Sequence, residues 1–304
     1  MIYTVTFNPS VDYVMKIEAL ELGSLNRTSD TAKYAGGKGI NVSRILSALD
    51  VPSTALGFAG GFMGEFIKDT LNTQGIQSDF IEVDGDTRIN VKLKTGEETE
   101  INAAGPAITD ANISRLEAQL IDLSPEDHVV FAGSVPSGYD HLYETLAKLL
   151  HDRNIEFTID AEGAKLTSTL QYGPYLIKPN QFELEGITGR SLSTTSEMVE
   201  AARSLLDRGA KNILLTLGKD GALFISRDYE YFVPSPKGTL KNSVGAGDST
   251  VAGFISRKGS SIREQLKYAI ACGSATAFSD DLATREDIEV LLDKIEVQSI
   301  EEVK

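Results

Sequence analysis

The 304-residue sequence predicts an α/β fold, a parallel sheet with crossover helices and a small β-sheet lid. Three observations carry that prediction. Apolar runs of strand length alternate with stretches of helical period. Glycine clusters at 36–39 and 245–247 stand directly before helical stretches. Two segments, 13–35 and 79–103, break the alternation and read as the lid.

Ile2 to Phe7 opens as a strand that Asn8-Pro9 ends. From Gly39, the apolar residues Val42, Ile45, Leu46 and Leu49 follow i, i+3, i+4, i+7, so a helix begins just after the glycines. Thr54 to Ala59 returns as a strand. Within 79–103, Ile89, Val91 and Leu93 alternate with Asn90, Lys92 and Lys94, and period 2 with one polar face suggests antiparallel strands outside the main sheet. Buried strands are expected at His128 to Ala132, Glu156 to Asp160, Tyr175 to Lys178 and Asn212 to Leu217. Helical stretches lie between them, as in Leu142, Tyr143, Leu146, Leu149 and Leu150. No Pro/Ser linker divides residues 1–304, and the acidic tail after Lys294 is expected to be dispensable.

Composition excludes several classes. A formal charge of −15 disfavours nucleic-acid or anionic-membrane binding. Cys272 is the single cysteine, so no intrachain disulfide and no cysteine metal cluster can form, and the chain suits a reducing cytoplasm. His128, His141 and His151 lack HExxH spacing, which argues against a zinc hydrolase. No apolar run approaches the ~18 residues of a membrane span, and no leader pattern opens the sequence. A soluble, unprocessed chain is expected.

Asn242 to Phe254 is the most informative stretch. Gly245 and Gly247 let the backbone approach a ligand, and free N–H groups at the helix start make an anion site. Asp248 beside it is either a general base for a hydroxyl attacking phosphorus or a helix cap. Ala35 to Asn41 precedes a second helix and carries Lys38 and Asn41. It is not a Walker A loop, because no glycine lies five residues before Gly37 and Gly39 stands where Ser or Thr should follow Lys38. A tight turn with a solvated lysine is its plain alternative. Asn180 and Glu183 are oxygen ligands suited to magnesium, or an N-cap with its first-turn glutamate. Thr216, Leu217, Gly218, Lys219, Asp220 and Gly221 form a nucleotide-receiving turn or a hairpin. Asp12 lies just past the first strand, where α/β ligands bind, while Arg27, Arg88 and Lys92 are lid charges that could equally be solvated. Gly133 to Gly138 lacks the GxSxG spacing of a hydrolase nucleophile.

In this order, AGGKGINVSR at 35–44, GSVPSG at 133–138, KPNQFE at 178–183, TLGKDGA at 216–222 and NSVGAGDSTVAGF at 242–254 resemble the ribokinase-like sugar kinases of the phosphofructokinase B family. The match runs over nearly the whole chain, with Val135 where leucine is commoner. The resemblance implies a three-layer α/β/α sandwich, one kinase domain over 1–304, and a lid that in many members also forms a dimer contact. It implies ATP and Mg2+ as cofactors, Asp248 as base, and the amides of Gly245, Ala246 and Gly247 as anion hole. Asn180 and Glu183 match the magnesium-associated motif, Thr216 to Gly221 a nucleotide segment, and Asp12, Gly37 and Asn41 sugar-hydroxyl contacts. Lys38 and Arg88, with Arg27 as a third, match the subgroups whose sugar already carries a phosphate. Thr87 to Leu93, with Asn90 and Lys92, resembles the branch that phosphorylates fructose 1-phosphate to the 1,6-bisphosphate more than the branch using tagatose 6-phosphate. A catalytically silent sugar-phosphate sensor is argued against by the intact base and magnesium motifs, and an unphosphorylated-sugar or nucleoside kinase by Lys38 with Arg88.

Overall fold

In a computed structural model, which describes residues 1–95 and 98–300, the alternation resolves into two sheets. In chain order the elements are β1 (Ile2–Thr6), β2 (Ser10–Lys16), β3 (Asp30–Gly36), α1 (Lys38–Ala48), β4 (Ser53–Ala59), α2 (Gly61–Thr73), β5 (Gln77–Glu82), β6 (Arg88–Lys94), β7 (Glu98–Asn102), α3 (Asp110–Ile121), β8 (His128–Ala132), α4 (Leu142–Asp152) and β9 (Glu156–Asp160). There follow α5 (Gly163–Thr167), β10 (Leu176–Ile177), α6 (Gln181–Thr188), α7 (Thr195–Asp207), β11 (Asn212–Thr216), β12 (Ala222–Ser226), β13 (Glu230–Val233), α8 (Ala246–Ser256), α9 (Ile262–Ala277), α10 (Arg285–Leu292) and β14 (Gln298–Ser299).

The large sheet has the order β14-β13-β12-β11-β10-β9-β8-β1-β4-β5. From β11 to β5 all neighbours are parallel, while β12, β13 and β14 add antiparallel strands at one edge. The sheet is therefore mixed, and its hairpin edge is the part that the βα alternation does not anticipate. Strand pleating sorts the core into two layers. Val129 and Phe131 of β8 pack with α3, α4 and α7, whereas Val130 and Ala132 of the same strand pack with α1, α8, α9 and α10. Helix α4 buries Leu142, Tyr143, Leu146, Ala147 and Leu150 on one face, each large side chain contributing on the order of 2 kcal/mol. Cys272 is buried in α9 among that second layer, as packing. Among the described residues no helix is long and apolar enough to cross a membrane.

The lid is a four-stranded sheet, β3-β2-β6-β7. Its bounds differ from the sequence expectation at both segments. It begins at Ser10 rather than residue 13, and after buried Ile17 residues 18–29 form a largely exposed connection between β2 and β3. Residues 79–82 belong to β5, the parallel edge of the large sheet, because Phe80 and Ile81 are buried there against the body. Gly96 and Glu97 of the second lid segment, and residues 301–304 of the acidic tail, lie outside the described residues. The rest of that tail is not dispensable to the fold. Ile295 and Ile300 are buried, and β14 pairs with β13.

Candidate active site

The lid pairs β2 with β6 in parallel, setting Ser10 opposite Arg88, Asp12 opposite Asn90 and Val14 opposite Lys92. Period 2 then puts Asp12, Arg88, Asn90 and Lys92 on one face of the lid. That polar face looks inward. Asn90 and Lys92 are buried, while Ile89 on the other face is exposed. Asp12 accepts from Ser10 Oγ at 2.8 Å and from Asn90 Nδ2 at 3.2 Å. Lys92 Nζ donates to Glu100 Oε1 at 2.6 Å, so its charge is matched within the lid. Arg88 donates to the carbonyls of Asn8 at 3.0 Å and Ala103 at 3.2 Å, its buried Nε has no partner, and no carboxylate among the described residues lies within ion-pair distance. Burial lowers its pKa, opposed by Asp12.

Two helix starts on the body face this lid. Gly37, with φ of 120°, caps α1 and aims Lys38 and Asn41 of its first turn into the same space. Gly245, with φ of 78°, caps α8 in the left-handed conformation, and Asp248 stands in the first turn, buried. Asn41 Nδ2 donates to Asp248 Oδ2 at 2.8 Å, tying the two helix starts together. The first N–H groups of α8 have no intrahelical acceptor. Ala246 N–H turns toward the Ser243 carbonyl at 3.4 Å, so it is only partly free for a ligand.

Behind these groups lies Asp160, at the end of β9, almost wholly buried. Its Oδ1 meets Lys38 Nζ and Lys178 Nζ, each at 3.3 Å, while Oδ2 is buried without a partner. Burial works against the Asp160 charge, but Lys178 and Lys38 outweigh it and hold the carboxyl below its ordinary value. Asp160 in turn holds the Lys38 ammonium above its ordinary pKa against burial. Asp248 is pushed up to about 6 by burial and then by the Asp160 charge, against the pull of Lys38, Asn41 and Lys178.

Lys38, Asn41, Lys178 and Asp248, with the inward face of the lid, line a cavity of about 630 Å3, and Asp160 lies behind its wall. A second cavity, of about 610 Å3, lies beside it and receives Asn180, Thr216, Gly218, Lys219 and Gly221 together with the apolar residues Leu240, Ala277 and Phe278. Gly247 lines both. A Cβ there would fall 3.2 Å from Lys178 Nζ, so glycine lets that ammonium reach the start of α8. Two adjoining chambers, one polar with a buried carboxylate and one with an apolar slot and lysines, can hold two substrates with a transferable group at the α8 N-terminus.

Other candidates fall elsewhere. Leu217 and Asp220 do not line the second cavity, and the turn that carries them closes the antiparallel β11–β12 hairpin. Arg27 is exposed on the β2–β3 connection and does not line the first cavity. Asn180 and Glu183 make a reciprocal capping box at α6, Asn180 N–H to Glu183 Oε2 at 2.8 Å and Glu183 N–H to Asn180 Oδ1 at 2.8 Å. Asp160, Lys178 and Glu100 were not singled out from sequence. Asp160 sits at a parallel strand end, the same signal that selected Asp12, and Lys178 lies inside the KPNQFE stretch.

The sequence pattern of the pfkB family carbohydrate kinases matches residues 5–287. The chain belongs to that family. A 1-phosphofructokinase of Bacillus subtilis is 45% identical over 98% of this chain and 99% of its own length. A D-tagatose-1-phosphate kinase of Bacillus licheniformis is 36% identical over 98% and 99%. Among solved pfkB-like folds, phosphofructokinase-2 of Escherichia coli in complex with substrates and products superposes with a TM-score of 0.91 at 28% identity, covering 96% of this chain and 98% of that one. The three-layer ribokinase-like fold with its second small sheet is thus the pfkB fold, and the chain is a carbohydrate kinase of that family.

Proposed function

We propose that this pfkB kinase is a 1-phosphofructokinase, transferring the γ-phosphoryl of ATP to the C6 hydroxyl of fructose 1-phosphate. The observation that carries the reading is the meeting of the two cavities at Gly247, with buried Asp248 on the polar side and Arg88, which has no carboxylate partner among the described residues, on the lid above it. ATP takes the chamber of Thr216, Gly218, Lys219 and Gly221, its base against Leu240, Ala277 and Phe278. The sugar takes the other, with Asp12, Gly37, Asn41 and Asn90 at its hydroxyls and Lys38 and Arg88 toward its phosphate.

In the reaction the C6 oxygen attacks the γ-phosphorus in line, the bond to the bridging oxygen of ADP breaks, and Asp248 takes the hydroxyl proton. The amides of Gly245, Ala246 and Gly247 hold charge on the moving group, a well-aimed donor contributing roughly 3 to 4 kcal/mol. The engaged Ala246 N–H leaves more of that task to Gly247. Holding both reactants across one glycine supplies much of the rest.

Magnesium would neutralise the ATP oxygens when bound. Among the described residues no three His, Cys, Asp or Glu side chains group to hold a metal. Magnesium takes one or two carboxylates and completes its shell with phosphates and water. The orphaned Oδ2 of Asp160 and the carboxylate of Glu183 fit this role, and burial raises the pKa of Glu183, so a cation there would relieve it. Asn180, whose oxygen is committed to the helix cap, would act by aiming Glu183.

The C1 position of the resident phosphate is supported by both named Bacillus relatives, whose sugars carry phosphate at C1. Tagatose 6-phosphate, the alternative raised by sequence, has no such support, while tagatose 1-phosphate is a second reading favoured by the B. licheniformis relative. An ADP-release assay over fructose 1-phosphate, tagatose 1-phosphate, fructose 6-phosphate and tagatose 6-phosphate tests this. The highest kcat/KM is expected for fructose 1-phosphate, and a higher value for either 6-phosphate would overturn the assignment. No ADP release with any of the four would overturn the sugar-phosphate assignment.

Acid pH should separate base from cap. Asp248 acts as a base only when ionised, so kcat/KM for the sugar phosphate is expected to fall about tenfold per unit as pH drops below about 6. A profile flat from pH 7 down to 5 would contradict the proton-acceptor role.

One kinase domain spanning 1–304, in a reducing cytoplasm, completes the reading. The outward lid face carries Ile89 and Ile101, and the β2–β3 connection adds exposed Leu22 and Leu25. Such a sheet face calls for cover, and a second copy pairing through the lid would supply it. Arg27, exposed on that same connection, would reach a sugar site only across the pair. Light scattering of a dilute sample should give twice the chain mass, and a fully active monomer would refute the pairing.

A further inference from the structure

Lys165 lies in α5, the short helix after β9, and lines the sugar cavity beside Glu162. Three of the other cations of that cavity are spent on carboxylates. Lys92 is matched by Glu100 at 2.6 Å, and Lys38 and Lys178 share Asp160 at 3.3 Å each, while Arg88 on the lid is oriented by two neutral carbonyls and keeps its charge. Among the described residues Lys165 is paired only with Asp140, at 3.8 Å, beyond hydrogen-bond reach. The Asp140 side chain is 85% exposed, so water screens this pairing and it contributes little. Lys165 itself is 31% exposed, an ammonium on a four-carbon stem at the cavity wall. A phosphate dianion entering a space that also holds the carboxylates of Asp12, Glu162 and Asp248 is best met by a cation not already spent on a carboxylate.

Resting on the sugar-phosphate reading above, we propose that Lys165 is a specificity-determining residue, which leaves Asp140 to hold the distal phosphate of the sugar from the body while Arg88 holds it from the lid. Asp140 is then a competitor for the same ammonium. Removing it frees Lys165, and removing Lys165 makes Asp140 irrelevant.

The test is steady-state kinetics with fructose 1-phosphate varied at saturating MgATP. Lys165→Met should raise the sugar-phosphate KM about tenfold, the scale of one partly exposed charge-assisted hydrogen bond, with kcat and the MgATP KM within about twofold. Lys165→Arg should keep most of the affinity. Asp140→Asn should lower the sugar-phosphate KM about twofold in the parent and leave it unchanged in the Lys165→Met background, a coupling that a merely structural lysine would not produce. A sugar-phosphate KM within twofold of the parent in Lys165→Met, or an Asp140→Asn effect equal in both backgrounds, would overturn the proposal while the kinase reading stands. A parent protein that turns over no sugar phosphate would overturn both.

Discussion

Replacing Asp248 with asparagine is expected to abolish turnover while making the ligand-free protein harder to unfold at pH 8. Asparagine is nearly isosteric and its side-chain oxygen can still accept the 2.8 Å hydrogen bond from Asn41, so the two helix starts stay joined. It cannot take a proton, and loss of a general base costs on the order of 10² to 10⁴ in rate. The stability gain follows from the same burial that tunes the base. The unfolded chain loses the Asp248 proton near 3.8, the folded protein near about 6. Between those values the folded state binds more protons than the unfolded one, so stability falls as pH rises through that window and stays lower above it. The difference amounts to about 3 kcal/mol at pH 8, and the asparagine variant escapes it. Thermal melts should therefore show a Tm gain of several degrees at pH 8 that shrinks toward pH 4. Turnover within about tenfold of the parent would remove Asp248 from the base role. A Tm gain independent of pH would refute a cost from buried charge.

How far such roles can be read without coordinates depends on whether their signal is local. Strands β1, β4, β8, β9 and β11 are apolar runs bounded by turns, and their limits agree with the sequence to within a residue or two. Helix α1 follows directly from the Gly37 turn and the spacing of Val42, Ile45 and Leu46. The sequence offers a hairpin at Thr216 to Gly221 only as an alternative, and strands β12 to β14 are not legible in it because a hairpin edge added to a parallel sheet leaves no alternation of strand and helix to follow. Residues 79–82 read as lid from sequence because β5 is a half-exposed edge strand, which shares the mixed pattern of a lid strand. The site shows the same division. Asp248, Asn41 and Lys38 sit beside glycines that mark a helix start, a local signature. Asp160 has no such mark, and its importance lies in meeting Lys38 and Lys178 from distant parts of the chain. The pairing of Lys92 with Glu100 likewise depends on β6 and β7 lying in register, so a cation expected over the sugar is largely neutralised before the sugar arrives.

That neutralisation makes Arg88 the strongest candidate for the phosphate grip, and Arg88→Ala is expected to raise the sugar-phosphate KM about a hundredfold. A guanidinium offers phosphate two parallel donors, and charge-assisted hydrogen bonds are worth about 1.5 to 3 kcal/mol each, so losing the fork costs roughly two factors of ten. Arg88 Nε is already buried with no partner, a desolvated donor that an anion would satisfy. Its other nitrogens rest on the Asn8 and Ala103 carbonyls, neutral acceptors that orient the side chain without cancelling its charge. Lys92→Met should have a much smaller effect, because Glu100 already offsets that ammonium. Arg88→Lys should recover little, since a point charge cannot reproduce two aligned donors. The MgATP KM should stay within about threefold of the parent in all three variants, because the chamber proposed for ATP lies on the far side of Gly247 and none of these side chains lines it. An equal rise in both KM values would mean that the lid closes over both substrates as a unit. An unchanged sugar-phosphate KM in Arg88→Ala, with Tm and MgATP KM intact, would move the phosphate to the body side of the cavity, where Lys38 and Lys165 would have to hold it alone.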